Sequence, residues 1–300
     1  MQTLWGIDLG GTKIEGVVLK SPNDLTPLAR LRVPTEQTQG YEHIIQQIKK
    51  LVNMLSEATG LQPARIGIGT PGTLDPGTQL LKNSNTLCLN GQPLKADLEA
   101  ALGLPVEMAN DANCFAVAET LMGAVRKNMP DARVVFGVIM GTGVGGGVVV
   151  DGKVIGGRQG IGGEWGHNPL DESGGPCYCG KTGCVEKVIS GPSLEAFYTK
   201  ISGKKMSLKE ILANRHEDEA AQQTIERLIY FFGKGVAQLI NIVDPDAIVL
   251  GGGVGNIELL YSEGVAAILP HVFNDRVDTV FLKPELGDSA GVFGAALLTV

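Results

Sequence analysis

Leu4-Trp5-Gly6-Ile7-Asp8-Leu9-Gly10-Gly11-Thr12-Lys13-Ile14-Glu15-Gly16-Val17-Val18-Leu19 is the stretch that decides the fold class. Leu4 to Ile7 and Ile14 to Leu19 are short apolar runs, and Asp8-Leu9-Gly10-Gly11-Thr12-Lys13 between them carries the glycines of a turn. The pattern predicts two strands joined by a hairpin. The same order returns later: Arg133 to Met140 reads as a strand, Gly141-Thr142-Gly143-Val144-Gly145-Gly146-Gly147 as a glycine turn, and Val148 to Ile155 as the returning strand.

Working outward, Tyr41, Ile44, Ile45, Ile48, Leu51, Val52 and Leu55 recur at the spacing of one buried helix face. Ile225, Leu228, Ile229, Phe232, Val236, Leu239, Ile240 and Val243 do the same in a longer helix. Arg65 to Gly69, closed by Thr70-Pro71-Gly72, and Leu104 to Met108 are further strands; Asn110-Asp111-Ala112-Asn113 hands the second over to a helix. Ala247 to Leu250 is a strand ending in Gly251-Gly252-Gly253, and Gly291 to Leu298 reads as a terminal helix of small residues. Strand, glycine hairpin, strand and helices, met twice, predict an α/β protein of two related lobes with a central cleft. The expected division is residues 1–120 and 121–300. The halves share no obvious identity, so the duplication rests on element order.

The composition narrows the function. With 43% hydrophobic and 19% charged residues, the 300-residue chain can bury a sizeable core. Lysine and arginine number 25 against 32 acids, a net charge of -7, and no dense basic run appears, which argues against nucleic acid or an anionic membrane as partner. Aromatics are only 5%, too few for base-stacking platforms. Glycine is in excess, 42 residues where an average of about 7% would give half as many, and it clusters at turns. The amino-terminal residues lack the basic and apolar regions of a secretory signal, and no apolar run approaches the ~20 residues of a spanning helix. A cytoplasmic protein is the expectation.

Three motif matches need their context. Gly141, Gly143 and Gly146 fit G-x-G-x-x-G, as do Gly67, Gly69 and Gly72, but a dinucleotide loop must open directly into a helix. A strand follows the first and a turn the second, so an NAD site is rejected. Gly175 with Gly180-Lys181-Thr182 fits a Walker A loop, yet no buried strand precedes it and two of its variable positions are cysteines. What remains are the two hairpin turns, whose consecutive N–H groups can converge on an anion. Either alone could be an ordinary hairpin; two in matching places look like a grip on a polyphosphate. Cys177, Cys179 and Cys184 crowd into eight positions and, with His167, offer three thiolates and one imidazole, a closed set typical of structural zinc. Cys88 and Cys114 stand apart as inert thiols, and His43, His216 and His271 have no such company.

Gly6-Ile7-Asp8-Leu9-Gly10-Gly11-Thr12-Lys13, Asn110-Asp111-Ala112-Asn113, the glycine turn from Gly141, Gly163-Glu164-Trp165-Gly166-His167, and Cys177-Tyr178-Cys179-Gly180 through Cys184-Val185-Glu186 together resemble the ROK family of sugar kinases and repressors. Within it, the motif flavour is most similar to bacterial fructokinases of the manno(fructo)kinase type. The resemblance implies the actin-like ATPase (ribonuclease H-like) fold, ATP and magnesium as cofactors, structural zinc, a sugar substrate and a homodimer. The first glycine turn begins at residue 8, which leaves no room for the helix-turn-helix domain that precedes repressors of the family.

The resemblance also assigns roles. Asp111 becomes the general base, where from local sequence a capping aspartate is the commoner reading. Asp8 faces magnesium or its water shell. Gly10, Gly11, Thr12, Lys13, Gly141, Thr142, Gly143, Gly145, Gly251, Gly252 and Gly253 form the nucleotide set. Gly72, Asn83, Asn110, Asp111, Glu164, His167 and Glu186 form the sugar set. His167, Cys177, Cys179 and Cys184 hold zinc, within a segment spanning 164–186. The implied reaction is phosphorylation of a hexose, fructose to fructose 6-phosphate first. Glucose, mannose and N-acetylglucosamine kinases are the near alternatives, and a non-catalytic sugar sensor the distant one.

Overall fold

The computed structural model describes residues 2–300. In chain order the elements are β1 (Leu4–Leu9), β2 (Lys13–Ser21), β3 (Asp24–Pro34), α1 (Tyr41–Thr59), β4 (Ile66–Thr70), β5 (Thr73–Leu74), β6 (Leu81–Lys82), α2 (Leu94–Leu102), β7 (Val106–Asn110), α3 (Asp111–Leu121) and α4 (Ala124–Asn128). There follow β8 (Val134–Met140), β9 (Val144–Val150), β10 (Lys153–Val154), α5 (Val185–Ile189), α6 (Gly191–Ser202), α7 (Leu208–Ala213), α8 (Glu219–Val243), β11 (Ala247–Gly251), α9 (Gly252–Gly255), α10 (Glu263–Ala266), β12 (Val280–Leu282) and α11 (Ala290–Leu297).

The two five-stranded sheets run β3-β2-β1-β4-β7 and β10-β9-β8-β11-β12. Counted within each sheet, both orders are 3-2-1-4-5, the same topology twice. In the first, β1 pairs antiparallel with β2 and parallel with β4, and β4 pairs parallel with β7. In the second, β8, β11 and β12 are parallel neighbours. The repeat inferred from element order is thus a repeat of strand topology. Each glycine turn joins the first two strands of its sheet.

Contacts divide the chain into two compact units, one of Met1–Pro130, Gly147–Gly162 and Glu285–Val300, the other of Asp131–Gly146 and Gly163–Pro284. This departs from the expected division at 120/121. The reason for the last segment lies in α11, whose small residues let its backbone lie directly on β1, β4 and α3. A Cβ at Gly6 or Gly67 would collide with the α11 backbone, and one at Gly294 with Cys114 in α3. Such close approach needs glycine on the facing surfaces and leaves no local signal of which strands the helix will meet.

In the first unit, α1 buries Ile44, Ile45, Ile48, Leu51, Val52 and Leu55 against the sheet, the face read from periodicity. It ends at Gly60 in the left-handed region, whose N–H donates to the Ser56 carbonyl. In the second unit, α8 starts at its cap Asp218 and buries Ile225, Leu228, Phe232, Val236 and Leu239. Among the described residues no helix is long and apolar enough to cross a membrane.

Candidate active site

In the first unit β7 ends at Asn110 and α3 begins at Asp111. The Asn113 N–H donates to Oδ1 of Asn110 at 2.8 Å, so Asn110 is the helix cap. The ordinary explanation of an aspartate here is therefore already taken by its neighbour. Oδ1 of Asp111 accepts the Ala112 N–H at 2.8 Å. The residue is open to solvent, yet protein crowds around its carboxyl; that burial raises its pKa, partly opposed by bonds from backbone N–H groups. The shift is in the direction that suits a proton acceptor working near neutral pH.

Asp8 lies on β1 opposite Glu15. Burial first, then the negative charges of Asp111 and Glu15, push its pKa up to about 6, with Lys13 pulling the other way. Crowded acids of this kind are relieved by a cation. In the turn that follows, the Gly10 N–H donates to the Lys13 carbonyl at 3.0 Å, and a Cβ on Gly10 would come within 2.9 Å of that oxygen. Buried Thr35, which follows β3, braces the turn: its hydroxyl donates to the Gly10 carbonyl at 2.6 Å and its N–H to the Thr12 carbonyl at 3.0 Å. Thr12 and Lys13 are left exposed. Gly72 has φ +108°, and a Cβ there would meet the Lys82 carbonyl at 2.6 Å, so the fold alone requires glycine. Asn83 is exposed.

In the second unit the turn is shorter than expected. It comprises Gly141, Thr142 and Gly143, closed by the Gly141 N–H donating to the Gly143 carbonyl at 2.9 Å. Gly145, Gly146 and Gly147 belong to β9, and the expected strand from Val148 to Ile155 is the end of β9, a turn at Asp151-Gly152, and β10. The misread glycines serve packing: a Cβ on Gly146 would strike the Phe136 ring at 2.5 Å, and the Gly145 carbonyl accepts Nε1–H of Trp165 at 2.9 Å. Gly251 closes β11, and Gly252 lies so near the Met140 backbone that a side chain would collide with it.

A cavity of about 940 Å³ in this unit is lined by Gly141, Thr142 and Gly253, with Gly191, Leu208, Leu212, Arg215 and Ile257 among its other walls. It brings together three residues of the expected nucleotide set. Gly143, Gly145, Gly251 and Gly252 are absent from its lining.

His167, Cys177, Cys179 and Cys184 converge, their ligand atoms all within 4.8 Å of one another. The Cys179 and Cys184 sulfurs are 3.6 Å apart, and Nδ1 of His167 lies 3.7 Å from Cys177 Sγ. Donors ~2.3 Å from a tetrahedral zinc would be ~3.8 Å apart, so the residues fit that ion. Burial, then the neighbouring thiols, push Cys184 up to about 12, while the Lys181 N–H is the main influence lowering Cys179. Glu164 leads into a short turn of helix over Trp165–His167, and Nε2 of His167 lies 2.9 Å from the Tyr178 hydroxyl. Cys184 is followed by α5, where Oε2 of Glu186 accepts the Val144 N–H at 3.0 Å.

With this geometry in hand, the sequence matches the ROK family over residues 4–300. The chain belongs to the ROK family. The N-acetyl-D-glucosamine kinase of Vibrio parahaemolyticus is 36% identical to it over 307 residues, covering 99% of each chain. The ROK hexokinase of Thermus thermophilus superposes with a TM-score of 0.88 at 31% identity, over 99% of this chain and 97% of that one. The ROK family glucokinase of Streptomyces griseus, solved with glucose and AMPPNP, gives 0.74 at 29% identity over 98% of each. The fold is the actin-like ATPase fold of ROK proteins, as the resemblance implied.

Two features of this ROK chain escaped sequence reading. The cavity walls come from α6, α7 and the segment after β11, three elements whose apolar residues carry no motif. Thr35 has only its place at the end of β3 to mark it, and a threonine there reads as any strand-end residue.

Proposed function

We propose that this ROK chain transfers the γ-phosphoryl group of ATP to a hydroxyl of a hexose, with N-acetylglucosamine the preferred sugar. The observation that carries the reading is Asp111: an aspartate relieved of the capping role by Asn110, with its pKa raised by burial, at the end of a strand. Relatives named as N-acetylglucosamine kinases along the whole chain support that sugar, which was an alternative in the sequence analysis. Fructose, the first expectation there, rests on motif flavour alone and becomes the second reading.

In this reading Asp111 accepts the proton of the sugar hydroxyl as its oxygen bonds to phosphorus and ADP leaves. The remaining residues of the sugar set, Asn83, Asn110, Glu164, His167 and Glu186, orient the ring. Backbone N–H groups of the two glycine turns hold the phosphates, and the cavity behind Thr142 takes the base and ribose. Magnesium, held near Asp8, supplies charge neutralisation on the phosphates. His167, Cys177, Cys179 and Cys184 would hold zinc with four protein donors, and the ion would then fix the segment 164–186 and take no part in the transfer. A homodimer in the cell's interior completes the proposal.

Coupled ADP-release assays across N-acetylglucosamine, fructose, mannose and glucose test it. The highest kcat/KM should fall on N-acetylglucosamine; a win for fructose restores the first expectation, and no sugar-dependent ADP release with any of the four sinks the kinase reading. Elemental analysis of protein purified without chelator should find one zinc per chain, lost in Cys179→Ser.

A further inference from the structure

The nucleotide turn of the second unit is held along its length by the segment that carries the zinc ligands. The Gly191 N–H donates to the Gly141 carbonyl at 2.9 Å, and Nε1–H of Trp165 to the Gly145 carbonyl at 2.9 Å. Gly166 lies so close to the Val144 carbonyl that a Cβ would collide with it. Between these contacts sits Glu186. Its Oε2 accepts the Val144 N–H at 3.0 Å, and a Cβ on Gly143 would come within 2.8 Å of that same oxygen. The missing side chain at Gly143 is therefore the space in which the carboxylate sits.

We propose that Glu186 is a positioning residue of the nucleotide loop as well as a sugar ligand, so that one carboxylate links the two substrates. Resemblance assigns it only to the sugar. The structure gives it a second task, fastening the residue that follows the phosphate turn. A charge-assisted bond to a backbone N–H at the mouth of a turn fixes the direction of the N–H groups before it. A carboxylate has two oxygens, and with Oε2 committed to Val144, Oε1 is the atom left for a sugar hydroxyl. A sugar bound at Oε1 then stiffens the side chain that holds the loop, and nucleotide bound at the loop stiffens the side chain that meets the sugar. Such coupling is reciprocal by necessity.

The inference rests on the proposed function, and the test separates the two. MgADP binding is measured by titration calorimetry on the purified zinc-bound protein with no sugar present, for wild type, Glu186→Ala and Glu186→Gln. A residue that only contacts sugar leaves MgADP affinity unmoved in all three. A loop-positioning Glu186 predicts weakening of roughly tenfold in Glu186→Ala, the scale of one lost charge-assisted hydrogen bond. Glu186→Gln keeps an oxygen acceptor for Val144 and should stay within about threefold of wild type. N-acetylglucosamine should bind more weakly to both. Unchanged MgADP affinity in Glu186→Ala, or equal losses in both variants, overturns the inference and leaves the kinase reading standing. A wild type that binds no MgADP overturns both.

Discussion

The turn at Gly10-Gly11 and the turn at Gly141-Thr142-Gly143 occupy the same place in two sheets of the same topology, and they are held in different ways. The first is braced by its own sheet, through Thr35 at the end of the third strand. The second is braced by a long excursion from the chain, the segment from Trp165 to Gly191 with its cluster of three cysteines and a histidine. Local sequence grammar can thus repeat while the support beneath it does not. A turn held by its own sheet stands whenever the sheet forms. A turn held by an excursion depends on whatever orders that excursion, and here the donor set suits zinc.

The comparison breaks most sharply at the proposed proton acceptor, Asp111, which has its place in the first unit. Asp111→Asn should leave MgADP and sugar affinity near wild type while turnover falls by about 10²–10⁴, the share of general base catalysis. If the variant turns over its best sugar within tenfold of wild type, another group takes the proton.

The supports themselves are compared by alanine at matching glycines. A Cβ on Gly143 meets Glu186 Oε2 at 2.8 Å and must shift the carboxylate that holds Val144, whereas a Cβ on Gly11 finds only Thr86 Oγ1 at 3.7 Å and Gln37 Nε2 at 3.9 Å. Gly143→Ala should therefore weaken MgADP and sugar together, each by roughly tenfold. Gly11→Ala should weaken MgADP alone, because in the proposed site the obstruction there is to the phosphate itself. Binding isotherms showing loss of nucleotide only in both variants would mean that the two turns are not differently supported.

The smallest effect concerns Asp8, which has no counterpart in the second turn. Its pKa of about 6 lies above the model-peptide 3.8, so the folded chain holds this proton after the unfolded chain has released it. Stability is therefore unaffected by Asp8 below pH 3.8, falls as pH rises from there, and carries the full cost above about 6. That cost is up to ~3 kcal/mol for a two-unit shift in the ligand-free protein. Asp8→Asn should raise the Tm by about 2–4 °C at pH 7.5 and by less at pH 5. Thermal scans at the two values check this, and an equal gain at both would place the titration of Asp8 elsewhere. In the same variant, MgADP should bind more weakly, since a carboxamide holds magnesium poorly.

Much of this was legible in the chain. The apolar spacing of α1 and α8 announced their buried faces, and the glycine turns announced hairpins because few other residues make such turns. The zinc-type set was visible because three cysteines in eight residues have few other uses in a reducing setting. The errors arose where glycine has more than one reason to be present. Gly145, Gly146 and Gly147 read as turn residues, but they are strand glycines, the first two packed against Trp165 and Phe136 and the third against Ala112 and Asn113. That α11 returns to β1, nearly three hundred residues earlier, also left no mark in the chain, and the contact units therefore differ from the expected 120/121 division.

The amino-acid sequence by itself determined the two long helices, the two glycine hairpins and their repeated order, the ROK family and the four metal-type ligands, because each is written as a local period or as a compact run of residues. Only the tertiary structure decided that Asn110 caps the helix beside Asp111, that Thr35 braces one turn, and that Glu186 fills the space left open by Gly143. Two of these three rest on hydrogen bonds between residues 25 and 42 positions apart, Thr35 to Gly10 and Val144 to Glu186. A contact of that range leaves no period in the chain; it exists once packing has closed the loop between its ends.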